Sequence, residues 1–230
     1  MPEYNKAPDY KAYGLRTTLD VDWDEGIYSV NVEAAYGKAE YTDGVTETGI
    51  TDTRTRFFWK FYENQGSSLQ NMIFSLDIFL PTGNASTGFG AGTFMFVPGV
   101  IFAFPISESF AIYPNPRIQF TTGKTTARTS AFPPGRNALG SQRESEQYIF
   151  AFELETFFIY YITSSFWVFA DPIFNWDFLP EPNEDNYELT MRNQIGKMFG
   201  YWGLGLESTI YLAGEKSQDL QARLVVFYFF

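Results

Sequence analysis

Glu153 and Glu155 are the two residues whose types and spacing best suit chemistry. They lie two positions apart in a segment of alternating polar and apolar residues, so both side chains share one face of a strand. Paired carboxylates can exchange protons with a substrate or bind a cation; alternatively, they line the wall of a barrel and pair there with arginines. The chain contains no histidine and no cysteine, which removes Ser-His and Cys-His nucleophile pairs and most transition-metal sites. We therefore expect no catalytic residue, no metal and no cofactor, and hence no enzyme.

The composition predicts a protein that is apolar on one face and polar on the other along its whole length. Aromatic residues make up 20% of the chain, yet charged residues make up 19% and the mean hydropathy is −0.18. No segment has the roughly 18 consecutive apolar residues of a transmembrane helix, but a transmembrane β-barrel needs none, because its lipid-facing and lumen-facing residues alternate. The net charge of −11 argues against nucleic acid as a partner.

Alternating segments separated by turn residues recur along the chain, at 13–23, 27–41, 54–64, 69–80, 92–104, 110–121, 146–161, 166–178, 187–197, 201–213 and 219–230. The connections between them are alternately short and long, which is the layout of an outer-membrane barrel. The pattern predicts an all-β fold, a closed antiparallel transmembrane up-and-down β-barrel in the bacterial outer membrane.

The number of strands depends on the N-terminal residues. Eleven segments alternate, whereas bacterial single-chain barrels have an even number of strands. Residues 1–12 are either a periplasmic segment or a ragged first strand, and 13–230 form a single barrel. We favour twelve strands; ten is the alternative if 13–23 does not cross the membrane.

Charged residues near the middle of the strands indicate which face is inside. In a barrel surrounded by lipid, the apolar face points outward and the polar face lines the lumen. Counting across the turns places Arg56 opposite Asp77, and Arg192 near Glu207, which is also close to Arg223. The predicted lumen-lining, or pore-lining, residues are Arg56, Lys60, Asp77, Arg117, Glu153, Glu155, Asp171, Arg192, Glu207 and Arg223.

Three prolines mark a predicted weak place in the wall. Pro98 lies in one strand and Pro114 and Pro116 in the next, and proline lacks the N–H that a ladder requires. Counting back from a turn at 105–109 places Pro98 opposite Pro116. The inward residues beside them form an apolar patch, namely Met95, Val97 and Ile101. We expect a lateral opening for a hydrophobic solute, or else a pair of β-bulges that only bend the wall.

The end of the chain resembles a known signal. Leu224, Val226, Tyr228 and the final Phe230 resemble the C-terminal β-signal of outer-membrane barrels, in which Tyr228 and Phe230 would be read by the barrel-assembly machinery. The resemblance implies an outer-membrane location, with membrane lipid and lipopolysaccharide around the barrel.

A second resemblance rests on about twenty residues. Leu80-Pro81-Thr82-Gly83, followed by glycines at 88, 90 and 92, is similar to the central motif of the MetA-pathway phenol-degradation family of outer-membrane channels. It implies a channel for passive, selective uptake of small molecules, aromatic or hydrophobic ones among them. The alternatives are a plugged structural or adhesive barrel that acts through its extracellular loops, and a lipid-modifying enzyme that uses carboxylates alone.

Overall fold

The computed structural model describes residues 1–7, 10–87, 89–124, 148–179, 186–214 and 219–228. Apart from a 3-10 turn at Ala85–Thr87, the regular elements of these residues are all strands, and they include no helix that is long and apolar enough to cross a membrane. The strands are β1 (Pro2–Lys6), β2 (Tyr10–Trp23), β3 (Tyr28–Tyr41), β4 (Thr46–Ile50), β5 (Thr53–Glu63), β6 (Asn71–Leu80), β7 (Met95–Ser107), β8 (Phe110–Thr121), β9 (Phe150–Thr163), β10 (Phe166–Asp177), β11 (Tyr187–Phe199), β12 (Trp202–Gly214) and β13 (Leu220–Tyr228).

Twelve of these strands close into a ring in which every neighbouring pair is antiparallel. Consecutive strands pair along the chain, and β1 closes the ring by pairing with both β2 and β13. Pro2–Lys6 therefore supplies the short strand that completes an even number. Closure leaves no open edge, whose backbone N–H and C=O groups would have no hydrogen-bond partner in hydrocarbon. The prediction of a closed barrel of twelve strands is confirmed.

The short strand β4 is additional to the ring and pairs only with β3. It lies on the same side of β3 as β5, and the two are separated only by Thr51 and Asp52. The pairing shifts by one residue there, from Tyr36↔Ile50 to Glu33↔Arg54. The extra residue is accommodated because the Ala35 N–H donates to Thr51 Oγ1 at 3.0 Å.

The two ends of the barrel differ in their connections. At one end, here called the turn end, the strands are joined at 24–27, 64–70, 108–109, 164–165 and 200–201. At the other, the loop end, they are joined at 7–9, 42–45, 81–94, 122–149, 178–186 and 215–219. The longest connections, 81–94, 122–149 and 178–186, all lie at the loop end, as the sequence predicts, but the predicted alternation of short and long is incomplete, because 64–70 at the turn end is longer than 7–9, 42–45 and 215–219.

The outer surface is apolar. Leu15, Tyr36 and Leu206 are each about 60% exposed, whereas Arg192, Glu153 and Asp171 are fully buried. Aromatic rings gather near both ends of the wall, such as Trp202 against Tyr228 at the turn end and Phe96 against Phe120 at the loop end. An apolar band between two aromatic girdles is the exterior of a barrel that spans a bilayer.

Candidate functional site

A layer of charged side chains crosses the middle of the barrel. Every strand of the ring except β7 contributes at least one of them, and β7 has Gly99 at that level. We call this the ionic layer, and it consists of Glu3, Arg16, Glu33, Arg54, Arg56, Asp77, Arg117, Glu153, Glu155, Asp171, Arg192, Glu207 and Arg223.

Asp77 joins three arginines of this layer. Its carboxylate accepts from Arg54 Nη2 at 2.5 Å, from Arg56 Nε at 2.7 Å and from Arg117 Nη1 at 3.2 Å. Arg56 and Asp77 are direct cross-strand partners, as counted from the sequence. Arg117 continues the network to β9, where its Nε donates to Glu153 at 2.5 Å and its Nη2 lies 3.1 Å from Glu155. The two candidate acid/base carboxylates are therefore both paired with an arginine.

Arg192 does not pair with Glu207, which was the partner expected from the sequence. In the β11–β12 ladder Arg192 lies opposite Thr209, and its side chain turns the other way, to Asp171 and Glu155. Its guanidinium lies 4.8 Å from the ring centre of Phe157 and 5.0 Å from that of Phe169. Glu207 is paired instead with Arg223, at 2.9 Å.

A second part of the layer involves residues that the sequence analysis did not single out. Arg16 donates to Glu3 and to Glu33, at 2.6 Å in each case, and Gln221 donates to Glu3 at 2.6 Å. Together these contacts fix β1 between β2 and β13. Their sequence signal was a polar residue on the polar face of an alternating segment, namely Arg16 in 13–23, Glu33 in 27–41 and Gln221 in 219–230, whereas Glu3 lies before the first of these segments. Arg54 was also missed, although it lies two positions from Arg56 and hence on the same face.

The ionic layer closes the axis of the described part of the barrel. Apart from Arg56, whose side chain is 18% exposed, its members are each less than one-tenth exposed. A water-filled passage would have to run along these side chains and expose them. Charges removed from water in this way are held by their partners, and an unpaired one would be costly.

An apolar patch lies on the loop side of the ionic layer. The inward residues Met95 and Val97 pack with Phe79, Ile149 and Ala151 into one buried cluster. Ile101 faces inward as well, but beyond Gly99 towards the turn end, where it lies opposite Ile73. The three residues of the predicted apolar patch therefore lie on the two sides of the ionic layer.

Opposite this patch, the connection 81–94 folds into the mouth of the barrel. Phe89 is fully buried against the inward residues Ala12, Ala35 and Ala39. Gly49 makes room for its ring, because a Cβ there would lie 3.0 Å from Phe89 Cγ. The loop thus occupies the lumen beside β2 and β3.

Asp52, at the break between β4 and β5, anchors this loop. Its carboxylate accepts from the backbone N–H of Gly83 at 2.9 Å and from that of Ala91 at 2.7 Å. A Cβ at Gly83 would lie 2.0 Å from the Phe89 carbonyl oxygen, and one at Gly90 would lie 2.6 Å from Asp52 Oδ1. Gly83 of the Leu80-Pro81-Thr82-Gly83 motif and Gly90 of its continuation are therefore needed for close packing around Asp52.

The ladder between β7 and β8 is interrupted at the prolines. Its paired residues jump from Gly99↔Arg117 to Phe104↔Ile112, although both strands are fully described there. The β6–β7 and β8–β9 ladders continue without a break past the same prolines. The missing N–H groups of Pro98, Pro114 and Pro116 therefore all face the junction of β7 and β8, which we call the proline seam.

The pairing of the prolines differs from the prediction. Because Gly99 is the partner of Arg117, Pro98 lies beside Ile118 and Pro116 beside Val100, so Pro98 does not face Pro116. The count from the sequence was wrong by two positions, because the turn consists of residues 108–109 and a bulge shifts the register between Pro105 and Ser107. The three missing N–H donors are consequently at successive hydrogen-bonding positions of the β7–β8 ladder.

A groove of about 410 Å³ lies over the proline seam on the outer surface. Pro98, Val100 and Pro116 line it, and Gly99 and Arg117 form its floor. Gly99 has no side chain, and the Arg117 stem lies directly behind it, since a Cβ at Gly99 would be 2.4 Å from Arg117 Cγ. At this point the backbone and one arginine separate the lipid side from the lumen.

Two further predicted residues lie away from the ionic layer. Lys60 is near the turn end, where its Nζ is 2.6 Å from Glu63. Tyr228 is in the girdle at the same end, with its ring 4.7 Å from that of Trp202. Phe230 lies outside the described residues.

These features define a transmembrane β-barrel. Single-chain membrane barrels with an even number of strands are characteristic of bacterial outer membranes, which agrees with the location predicted from the sequence.

Comparison with solved structures gives the same class. The NanC porin matches with a TM-score of 0.64 and 9% identity, covering 100% of this chain and 98% of that one. The COG4313 outer membrane channel from Pseudomonas putida F1 matches with a TM-score of 0.71 and 13% identity, covering 99% of this chain and 92% of that one. At these identities the likeness is one of fold. No family model and no curated protein sequence matches the chain, so the resemblance to the phenol-degradation family stays a prediction.

Proposed function

We propose that this protein is a passive outer-membrane channel for small apolar or aromatic molecules, which leave the barrel sideways through the proline seam. The observation that carries the proposal is that the wall is weakest at the level where the axis is closed. β7 is the one strand of the ring that contributes no charged side chain to the ionic layer, and its Gly99 lies at that level.

The loop-side patch supports an apolar solute. Phe79, Met95 and Val97 are on β6 and β7, so the patch adjoins the seam. A solute that reached the patch would next meet the ion pairs of the ionic layer. An apolar molecule offers those charges no hydrogen bonds, so separating the pairs to pass along the axis would cost free energy. The outward step leads instead into hydrocarbon, where its transfer from water is favourable.

The seam supports an opening because it has fewer hydrogen bonds to break. Three successive N–H donors are absent, and each ladder bond contributes about 0.5–1.5 kcal/mol. Transport would be diffusion between binding positions without a covalent step, so we assign no catalytic residue. We also propose that lipid and lipopolysaccharide surround the exterior, and that the assembly machinery reads the C-terminal strand.

A plugged structural barrel is the second candidate. The closure of the axis by the ionic layer favours it, and its function would then reside in the extracellular loops. The two candidates differ in one measurable respect, since a plugged barrel transports no solute by either route.

A reversible lock on the seam tests the proposal. The chain has no cysteine, so Val100→Cys with Pro116→Cys introduces the only thiols, at positions that the register places side by side. The matched control is Leu204→Cys with Val226→Cys, a cross-strand pair in the intact β12–β13 ladder. Both variants are reconstituted into liposomes that contain lipopolysaccharide, and uptake of toluene and of a sugar of similar size, relative to protein-free liposomes, is measured in the oxidised and reduced states.

We expect the oxidised seam lock to abolish the channel-dependent uptake of toluene and reduction to restore it to the slower rate expected when Pro116 is replaced, whereas oxidation of the control pair has no effect. If the unmodified chain takes up toluene and the oxidised variant takes it up equally fast, the lateral route is overturned. No uptake by the unmodified chain would favour the plugged barrel.

A further inference from the structure

A row of smaller residues crosses the lipid-facing surface on the part of the wall formed by β10 to β12. Ala170 pairs with Asn193, and Asn193 with Ser208, while Phe158 of β9 ends the row beside Ala170. The next row towards the turn end is bulky, and it runs through Tyr160, Val168, Ile195 and Leu206. The exterior is therefore recessed along the small row.

The recess is a groove of about 610 Å³. Aromatic and aliphatic side chains line most of it, with Phe110, Phe158 and Tyr160 at one end and Leu206 at the other. Asn193 and Ser208 are the polar side chains on its outward face. A mostly apolar pocket with a few convergent polar groups, and a volume in the range of about 300–1,000 Å³, is typical of small-molecule sites.

Asn193 and Ser208 are unusual on a surface that faces lipid. They lie near the middle of β11 and β12, and within the described residues neither side chain makes a hydrogen bond or an ion pair. Hydrocarbon offers an amide or a hydroxyl no partner, so leaving both unpaired there costs free energy. A ligand that reached them through the membrane would recover part of that cost.

We propose that this groove binds a neutral amphipathic molecule with an apolar body and one hydrogen-bonding group, such as a hydroxyl, held by Asn193 and Ser208. No charged side chain faces outward in the groove, because the groove's one acid, Glu207, points into the lumen to Arg223. An ionised ligand would therefore be unpaired in hydrocarbon. A plain acyl chain would fill the apolar part but leave both polar groups without a partner.

A second copy of the chain is a poorer occupant. A two-fold contact centred on Asn193 would bring the same surface of both copies together. Because that surface is concave along the small row, two copies would enclose a void where a tight interface requires packing as dense as a protein interior. A small molecule fills such a recess from one side.

The site lies apart from the proline seam, so it does not depend on lateral transport. Its residues are on β8 to β12, whereas the seam joins β7 to β8, and the β10–β11 ladder beneath it is continuous. The test is therefore made in the seam-locked variant as well as in the unmodified chain, and failure of transport would leave its outcome unchanged.

Photolabelling in liposomes tests the proposal. The probe is a benzyl alcohol that carries a photoreactive diazirine, and the corresponding toluene, which lacks only the hydroxyl, is the matched reagent. Labelled positions are mapped by mass spectrometry. The variant Asn193→Leu with Ser208→Ala removes the polar groups, and Leu204→Ala alters a lipid-facing residue outside the groove.

We expect the alcohol to label Phe158, Tyr160 and Ile195 at least tenfold more than the rest of the exterior, and unlabelled benzyl alcohol to compete with it. The double variant should lose this preference, whereas Leu204→Ala should retain it. Uniform labelling by both probes would overturn the proposal, as would preferential labelling that survives in the double variant. Dimers that are crosslinked through the groove would assign it to a second copy instead.

Discussion

Gly99 of β7 lies directly opposite Arg117 of β8, and a Cβ added to Gly99 would be 2.4 Å from Arg117 Cγ. The same arginine joins Asp77 of β6 to Glu153 and Glu155 of β9. One contact thus connects the thinnest point of the wall to the ionic layer that closes the axis.

This contact predicts that Gly99 does not tolerate a side chain. In Gly99→Ala the Arg117 stem must move, and overpacking of this kind costs about 1–3 kcal/mol. We expect a lower unfolding temperature in detergent, measured by the shift of the heat-modifiable gel band. Gly205→Ala is the control, because the nearest atom to its Cβ is the end of the Gln194 side chain at 3.1 Å. Equal stability of the two variants would contradict the close approach at Gly99.

Restoring donors to the proline seam should strengthen the wall. Pro116→Val supplies an N–H opposite Val100, and a regained ladder hydrogen bond contributes about 1 kcal/mol. We expect a higher unfolding temperature and slower uptake of toluene, with a larger effect when Pro98→Val is added. Pro105→Val, at the bulge near the turn, is the control. Faster uptake in the strengthened seam would count against a lateral exit.

Asp77 should matter more to stability than its partner Arg56. Asp77→Asn removes the carboxylate that Arg54, Arg56 and Arg117 share, and an uncompensated buried charge costs about 3–5 kcal/mol. Arg56→Gln should cost less, because the Arg56 side chain is 18% exposed. Thermal unfolding of the folded barrel measures both variants.

The shared carboxylate also predicts the result of a charge swap. Arg56→Asp combined with Asp77→Arg should not recover the stability lost in Asp77→Arg alone, because position 77 also faces Arg54 and Arg117. Full recovery by the swap would show that Arg56 and Asp77 act as an isolated pair.

Asp52 should hold the loop 81–94 in the mouth of the barrel. Asp52→Ala leaves the N–H groups of Gly83 and Ala91 without their acceptor, so we expect faster proteolysis within this loop and larger fluctuations of single-channel current. Asp43→Ala is the control, since Asp43 accepts from the Val45 N–H in an exposed turn outside this loop. If the two variants were cleaved equally fast, Asp52 would not be the anchor.

The class of the fold was predictable because its signals are local. Alternation with a period of two assigns each residue to a face, and charges such as Asp171 on one face with Leu206 and Tyr228 on the other decide which face meets lipid. Connection lengths distinguish the two ends in the same way. The pairing of Arg56 with Asp77 was also predictable, since the two residues lie at nearly equal distances from the middle of the connection 64–70 that joins β5 to β6.

The register and the long-range contacts were not predictable from these signals. A two-residue turn and one bulge moved Pro98 away from Pro116, because a single inserted residue shifts every pair beyond it. Closure of the ring decided that Glu3 of β1 lies opposite Arg223 of β13 and accepts from Gln221, although these residues are at opposite ends of the chain.

By itself the sequence therefore determined which side chains face lipid and which face the lumen, since that choice depends on each residue and its immediate neighbours. The tertiary structure decided which inward charges pair beyond neighbouring hairpin strands, that Phe89 fills part of the mouth, and that three missing donors face the same seam. Those outcomes depend on the register between neighbouring strands around a closed ring. The turns, the bulges and the closure of the ring together set that register.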